Sequence, residues 1–215
     1  MLSFEVFGNS CEVAENSSRI AIAGGSLTEI TFLLEVEDRI VAVDLTSNYP
    51  MMARDLPSIG YVRALSTEGI LSLSPTLILG EDDMGPPLVI DQLSLTGVDI
   101  RIVPEEQTAE GILGKIRCLS SILGVSRSFQ DQKIALLTED LNKLKKNASK
   151  NSKNPIRVML VLNMQGTSPI VAGRNTSGDS FIKMTGAKNV VTSFEGWKPV
   201  NSEAIISYNP DYILI

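Results

Sequence analysis

The chain has 215 residues with 19 basic and 25 acidic side chains, a formal net charge of −6, and 43 % hydrophobic content. Such usage predicts a packed core, and acidity without a basic block excludes a nucleic-acid partner held by phosphate neutralisation. Histidine is absent and the cysteines are only Cys11 and Cys118, which excludes His-based triads, His metal sites, a Cys-only zinc site and a disulfide scaffold.

Residues 1–18 show no basic leader and no apolar stretch of signal-peptide length. No run of about 18 apolar residues occurs, so no membrane insertion is expected. The chain reads as a soluble protein without a visible address, either cytoplasmic or lacking a signal that was removed or lost. Arg19 to Ala23 predicts a buried strand ending at Gly24-Gly25. Ser26, three residues before Glu29, has capping-box spacing and predicts the start of a helix with Ile30, Leu33 and Leu34 inward. Ile40 to Val43 is the next strand, and the loop from Asp44 to Gly60 delivers Gly60-Tyr61-Val62-Arg63. Ser66 caps a short helix that Pro75 stops, and Thr76 to Leu79 is a strand. Three neighbouring carboxylates, Glu81, Asp82 and Asp83, read as a solvated loop rather than a metal site. A helix over Leu88 to Leu95 and a strand over Asp99 to Val103 complete an alternating α/β lobe with a largely parallel sheet.

From Thr108 to about Lys150 the spacing of Ile134, Leu137, Leu141 and Leu144 is helical, with Gly124 separating two helices. Lys143, Lys145 and Lys146 place cations at a helix C-terminus, where they complement the dipole. Asn151 to Pro155 is a polar break, and Ile156 to Leu162 opens a second α/β lobe.

An internal repeat supports two lobes on one plan. Glu68 and Glu203 lie 135 residues apart, and the same offset pairs Ile70 with Ile205, Ser72 with Ser207, Pro75 with Pro210, and Ile78-Leu79 with Ile213-Leu214. Upstream it sets Gly60-Tyr61-Val62-Arg63 against Glu195-Gly196-Trp197-Lys198. Each lobe therefore presents an aromatic and a cation just before a short helix, and a ligand is expected in a cleft between lobes. The expected domains are an N-terminal α/β lobe over 19–107, a helical linker over 108–150 and a C-terminal α/β lobe over 155–215. The last reads as truncated, because nothing follows the equivalent of Leu79 except Ile215.

Ile22-Ala23-Gly24-Gly25-Ser26-Leu27-Thr28-Glu29, Gly60-Tyr61-Val62-Arg63-Ala64-Leu65-Ser66 and Ala172-Gly173-Arg174-Asn175-Thr176 resemble the haemin-binding periplasmic proteins of bacterial ABC importers. Those belong to a broader class that includes siderophore and cobalamin binders with lobes joined by one long helix. The resemblance runs from about Arg19 onward. It implies a non-enzymatic, periplasmic, monomeric binding protein that captures haem as transported ligand and delivers it to a membrane permease. It further implies that Tyr61 ligates the haem iron and that Arg63 assists the phenolate or pairs with a propionate. Arg174 is a further candidate for pairing with a propionate, in a loop where Asn175 departs from the family's glycine. Trp197 is a candidate for porphyrin stacking and Lys198 for a second cationic contact. Glu68 and Glu203 are implied to dock the permease. Plainer readings stand beside these: a loop tyrosine, a surface arginine, a core tryptophan, a solvated lysine and two helix-start glutamates. Gly24, Gly25 and Ser26 either line the cleft or simply form a tight strand-to-helix turn. A tyrosine oxygen is a known ligand of haem iron, and without histidine an iron pocket must use Tyr, Met, Cys or carboxylate. The alternatives are a siderophore or cobalamin binder of the same class, an incomplete non-functional fragment, or an enzyme such as a nucleotide-sugar transferase. The enzyme reading lacks any P-loop, G-x-G-x-x-G or G-x-S-x-G motif.

Overall fold

The computed structural model describes residues 11–151, 154–166 and 168–215. They form two compact units, one of residues through Glu105 with Leu113–Ala135, the other of Glu106–Ile112 with Leu136–Ile215. The helical stretch expected over 108–150 is shared between them.

In the first unit, β1 (Ile20–Ala23) leads through α1 (Gly25–Leu33) to β2 (Ile40–Val43). The following loop ends in a small hairpin, β3 (Gly60–Tyr61) and β4 (Ala64–Leu65). Then come α2 (Thr67–Leu71), β5 (Leu77–Gly80), α3 (Pro87–Ser94) and β6 (Asp99–Ile102). The sheet runs β2-β1-β5-β6 with every pair parallel. Alternation along the strands places Ala21, Ala23 and Ile78 in a core with Ile70, Leu93, Val62 and Leu65. Ile20, Ile22, Leu77 and Leu79 point the other way and are also fully buried. Both faces are covered, which is why these strands read as continuous apolar runs. Each Ile or Leu so buried contributes roughly 1.5–3 kcal/mol.

The start of α1 differs from expectation. Its N-cap is Gly24 at φ 145, and Ser26 makes no cap. The free N–H groups of Gly24 and Gly25 donate instead to Asp44 Oδ1 and Thr46 Oγ1, both at 3.1 Å. The loop after β2 does the capping, and Ser26 is released to donate to Glu81 and accept from Lys115 Nζ at 3.0 Å.

Two helices follow, α4 (Ala109–Ile122) and α5 (Arg127–Asn151). Gly124, at φ 65, separates them as expected. The 25 residues of α5 correspond to about 37 Å. Cys118 of α4 forms a disulfide with Cys11, 107 positions away, which answers a question the sequence left open. The polar break expected at 151–155 lies partly outside the described residues.

The second unit is built on β7 (Arg157–Gln165). It continues with β8 (Ser168–Ala172), α6 (Ser177–Met184), β9 (Lys188–Asn189), β10 (Trp197–Pro199), α7 (Ser202–Tyr208) and β11 (Tyr212–Leu214). β11 and β9 run parallel to β7, whereas β8 folds back antiparallel on β7 and carries antiparallel β10. Met159, Val161, Val171, Val190, Val191 and Val200 form its core.

The internal repeat is visible in this frame. Ser66 and Asn201, at the repeat offset, are the N-caps of α2 and α7, and each accepts from the N–H three residues on, Gly69 at 3.3 Å and Ala204 at 2.8 Å. β5 and β11 begin at the same offset but differ in burial. Ile78 and Leu79 are fully buried, while Ile213 and Leu214 are 47 % and 39 % exposed. β5 lies between two strands; β11 pairs with β7 alone among the described residues.

Candidate functional site

The first unit places Tyr61 on the β3–β4 hairpin, 44 % exposed, with neighbouring Val62 and Leu65 buried in the core. Two strands of two residues hold no geometry on their own. The loop after β5 supplies the support: Gly85 N donates to Val62 O and Leu65 N to Gly85 O, both at 2.9 Å. Upstream, Leu45 N donates to Gly60 O at 2.8 Å. An anchored apolar pair thus presents an exposed phenol.

Arg63 lies on the turn between the two strands. Its Nε and Nη2 donate to one oxygen of Asp83, Oδ2, at 3.0 and 2.8 Å. The hydrogen bond to Asp83 keeps the guanidinium protonated still more firmly than usual, with smaller help from the charges of Asp83 and Tyr61 against some desolvation. Asp83 is therefore more than a solvated loop residue. Nor is Glu81 solvated: its side chain is 13 % exposed and meets Lys115 Nζ at 2.5 Å. Lys115, 6 % exposed, also reaches Glu105 Oε1 at 2.9 Å. Burial alone would lower the lysine's pKa; the two glutamates outweigh it and raise it. Among the described residues no cluster of three or more Cys, Asp or Glu is arranged to hold a metal.

In the second unit the loop after β8 carries Arg174. Arg174 N donates to Phe194 O and Gly196 N to Arg174 O, both at 2.9 Å, and Arg174 Nη2 lies 3.4 Å from Glu195 Oε1. The Asn175 departure is accommodated: Asn175 adopts the left-handed conformation at φ 58, which asparagine tolerates and glycine prefers. Behind the loop, Thr176 caps α6 by accepting from Asp179 N at 3.0 Å. Buried Asp179 accepts from Asn189 Nδ2, Lys183 Nζ and Asn175 N. Its burial favours the neutral acid, but these donors prevail and its pKa is lowered. Replacing Asn175 by alanine is expected to cost about 1 kcal/mol, the left-handed penalty, while Asn175→Gly stays within about 0.5 kcal/mol. Paired urea melts check this; equal losses for both variants would show that the asparagine side chain matters rather than its backbone.

Trp197 on β10 is half-buried and its ring lies over α6. A Cβ at Gly178 would come within 2.8 Å of Trp197 Cη2, so the ring packs within its own unit. Lys198 holds its ammonium 5.3 Å from the centre of the Phe194 ring. Glu68 and Glu203 are exposed in the first turns of α2 and α7, at equivalent places. The structure thus groups Tyr61, Arg63 and Asp83 in one unit, and Arg174, Trp197 and Lys198 around β8 and β10 in the other. A cavity of about 470 Å³ in the second unit, lined by residues that include Leu141, Leu144, Lys145 and Lys183, contains none of these candidates.

A family model described as periplasmic binding protein matches residues 20–215. The structure is similar to the periplasmic heme-binding protein RhuT from Roseiflexus sp. RS-1, with TM-score 0.84 and 32 % identity, covering 92 % of this chain and 76 % of that one. It is also similar to a periplasmic heme binding protein from Pseudomonas aeruginosa, with TM-score 0.83 and 34 % identity, covering 91 % and 70 %. In sequence it is 26 % identical to an uncharacterized ABC transporter substrate-binding lipoprotein, YvrC, of Bacillus subtilis (strain 168), over 88 % of this chain and 60 % of that protein. A vitamin B12-binding protein of Pectobacterium carotovorum subsp. carotovorum (strain PC1) is 23 % identical over 87 % and 67 %. The chain therefore spans about three fifths to two thirds of the length of these curated relatives. No helix among the described residues is long and apolar enough to cross a membrane.

Proposed function

The chain belongs to the periplasmic binding protein family, and from that premise we propose that it captures haemin and delivers it to the permease of an ABC importer. The observation that carries this reading is the exposed Tyr61 on an anchored hairpin beside a protonated arginine. Ferric haem iron accepts a tyrosine oxygen as ligand, and the chain has no histidine to compete for that role. The similarity to heme-binding proteins at 32 % and 34 % identity supports the same ligand. Arg174 and Lys198 are the cations of the second unit that would meet propionates, with Trp197 as an apolar wall. Glu68 and Glu203, repeated on two capped helices, would dock the permease. The protein acts as a monomeric binding protein rather than an enzyme. The Cys11–Cys118 disulfide supports export, since such bonds persist in oxidising compartments such as the periplasm.

Haemin titration followed by absorption spectroscopy tests the proposal. Saturable binding with a tyrosinate-type ferric spectrum is expected, and Tyr61→Phe should lose that spectrum and bind roughly 100-fold more weakly, ~2.7 kcal/mol. Saturable binding unchanged in the variant would remove Tyr61 from the site while keeping haem. The similarity to a vitamin B12-binding protein favours a second reading, cobalamin. Folded protein that ignores haemin but quenches its Trp197 fluorescence on adding cyanocobalamin would establish that reading instead.

A further inference from the structure

Arg63 is not an idle cation awaiting a ligand. Two of its nitrogens are spent on one oxygen of Asp83, at 3.0 and 2.8 Å, and Nη1 makes no hydrogen bond to any described residue. Both side chains are open to solvent, 62 % and 42 % exposed, so the pair is weak and a competing carboxylate can break it. The carboxylate is nonetheless firmly placed. Asp83 lies between Glu81, anchored on buried Lys115, and Gly85, bonded to both sides of the hairpin that carries Tyr61. Acid and arginine are thus brought to the same spot by two segments bonded to each other through Gly85.

We infer that Asp83 is a positioning and specificity residue of the Tyr61 site: it holds Arg63 at the hairpin, so that a ligand carboxylate gains the guanidinium only by displacing it. This rests on the reading of Tyr61 as the haemin ligand. The consequence is a restraint on charge. A porphyrin with two free propionates must break the Arg63–Asp83 pair to use Arg63, while its dimethyl ester offers the arginine no carboxylate and has no need to displace Asp83. The second unit repeats the device more loosely, with Glu195 at 3.4 Å from Arg174.

The test is a set of absorbance titrations of the full chain and its variants with haemin and with haemin dimethyl ester. Asp83→Asn is expected to bind haemin roughly fivefold more tightly, ~1 kcal/mol, with affinity for the ester unchanged, which also shows the variant to be folded. Asp83→Glu, which keeps the charge, should hold the gain below about twofold. In the double variant Asp83→Asn with Arg63→Gln the gain should vanish, because the residue being released is gone. An Asp83→Asn protein that treats both porphyrins as the parent does, or changes both alike, overturns the inference, as does a gain that survives Arg63→Gln. Failure of the parent protein to bind either porphyrin overturns the haemin reading itself, and this inference falls with it.

Discussion

Breaking the Cys11–Cys118 bond is expected to lower the stability of the first unit by about 3–5 kcal/mol. The bond closes a loop of 107 positions, and the chain-entropy model assigns a loop of about 100 residues ~4.7 kcal/mol. It ties residue 11 to α4, whose Ile116, Leu119 and Ile122 are fully buried. Beside it, Ala14 N donates to Ile122 O at 2.9 Å. Without the cross-link, the unfolded chain gains conformational entropy. Urea unfolding of the oxidised protein, the reduced protein and a Cys11→Ala, Cys118→Ala variant would measure the effect. Coincident midpoints for oxidised and reduced samples would refute it, and two titratable thiols in unreduced, denatured protein would show that the bond does not form.

Replacing Lys115 by methionine is expected to cost about 3 kcal/mol, because it strands a carboxylate rather than merely deleting a contact. Lys115 and Glu81 are 6 % and 13 % exposed, and Ser26 completes the cluster. Glu105 matters less, since it is 36 % exposed and water can replace the lysine there. A second change, Glu81→Met, should recover much of the loss, since the uncompensated charge disappears along with the desolvation it incurs. The sign with pH follows from the raised lysine pKa. The cluster's contribution is fully present below the ordinary value of 10.5 and fades as pH climbs through the higher folded value. A loss below 1 kcal/mol in Lys115→Met, or a double variant no better than the single, would mean that water already compensates Glu81. The loss should also loosen the loop that holds Asp83 and Gly85, detectable as faster hydrogen exchange at Leu65 N, which bonds Gly85 O.

Much of the frame was legible because it depends on local rules. Apolar runs located β1, β2, β5 and β6, with glycine or proline marking an end of all but β2, and the polar starts at Ser66 and Asn201 located α2 and α7. Lys115 carries a readable signal of its own. It sits three residues after Ile112 and four before Leu119, one charge on the apolar face of a helix. Ser26 shows the opposite failure: its spacing to Glu29 satisfied a capping rule, yet Asp44 and Thr46 reached the same N–H groups first. Asp83 gave no local signal, since an acidic residue in a polar loop looks the same whether solvated or paired.

By itself the sequence determined the α/β alternation and the helical stretch between, because each is written in spacings short enough for periodicity and capping chemistry to specify; the repeat lay in a match at an offset of 135 residues, and the family in the resemblance of three motifs. The tertiary structure decided the pairings: Arg63 with Asp83, Lys115 with Glu81, Cys11 with Cys118. It also decided that one repeated motif is buried at Ile78 and exposed at Ile213. Such outcomes depend on which strand or loop arrives alongside from elsewhere in the chain. That is set by the packing of whole elements, and no residue's own neighbours in sequence carry it.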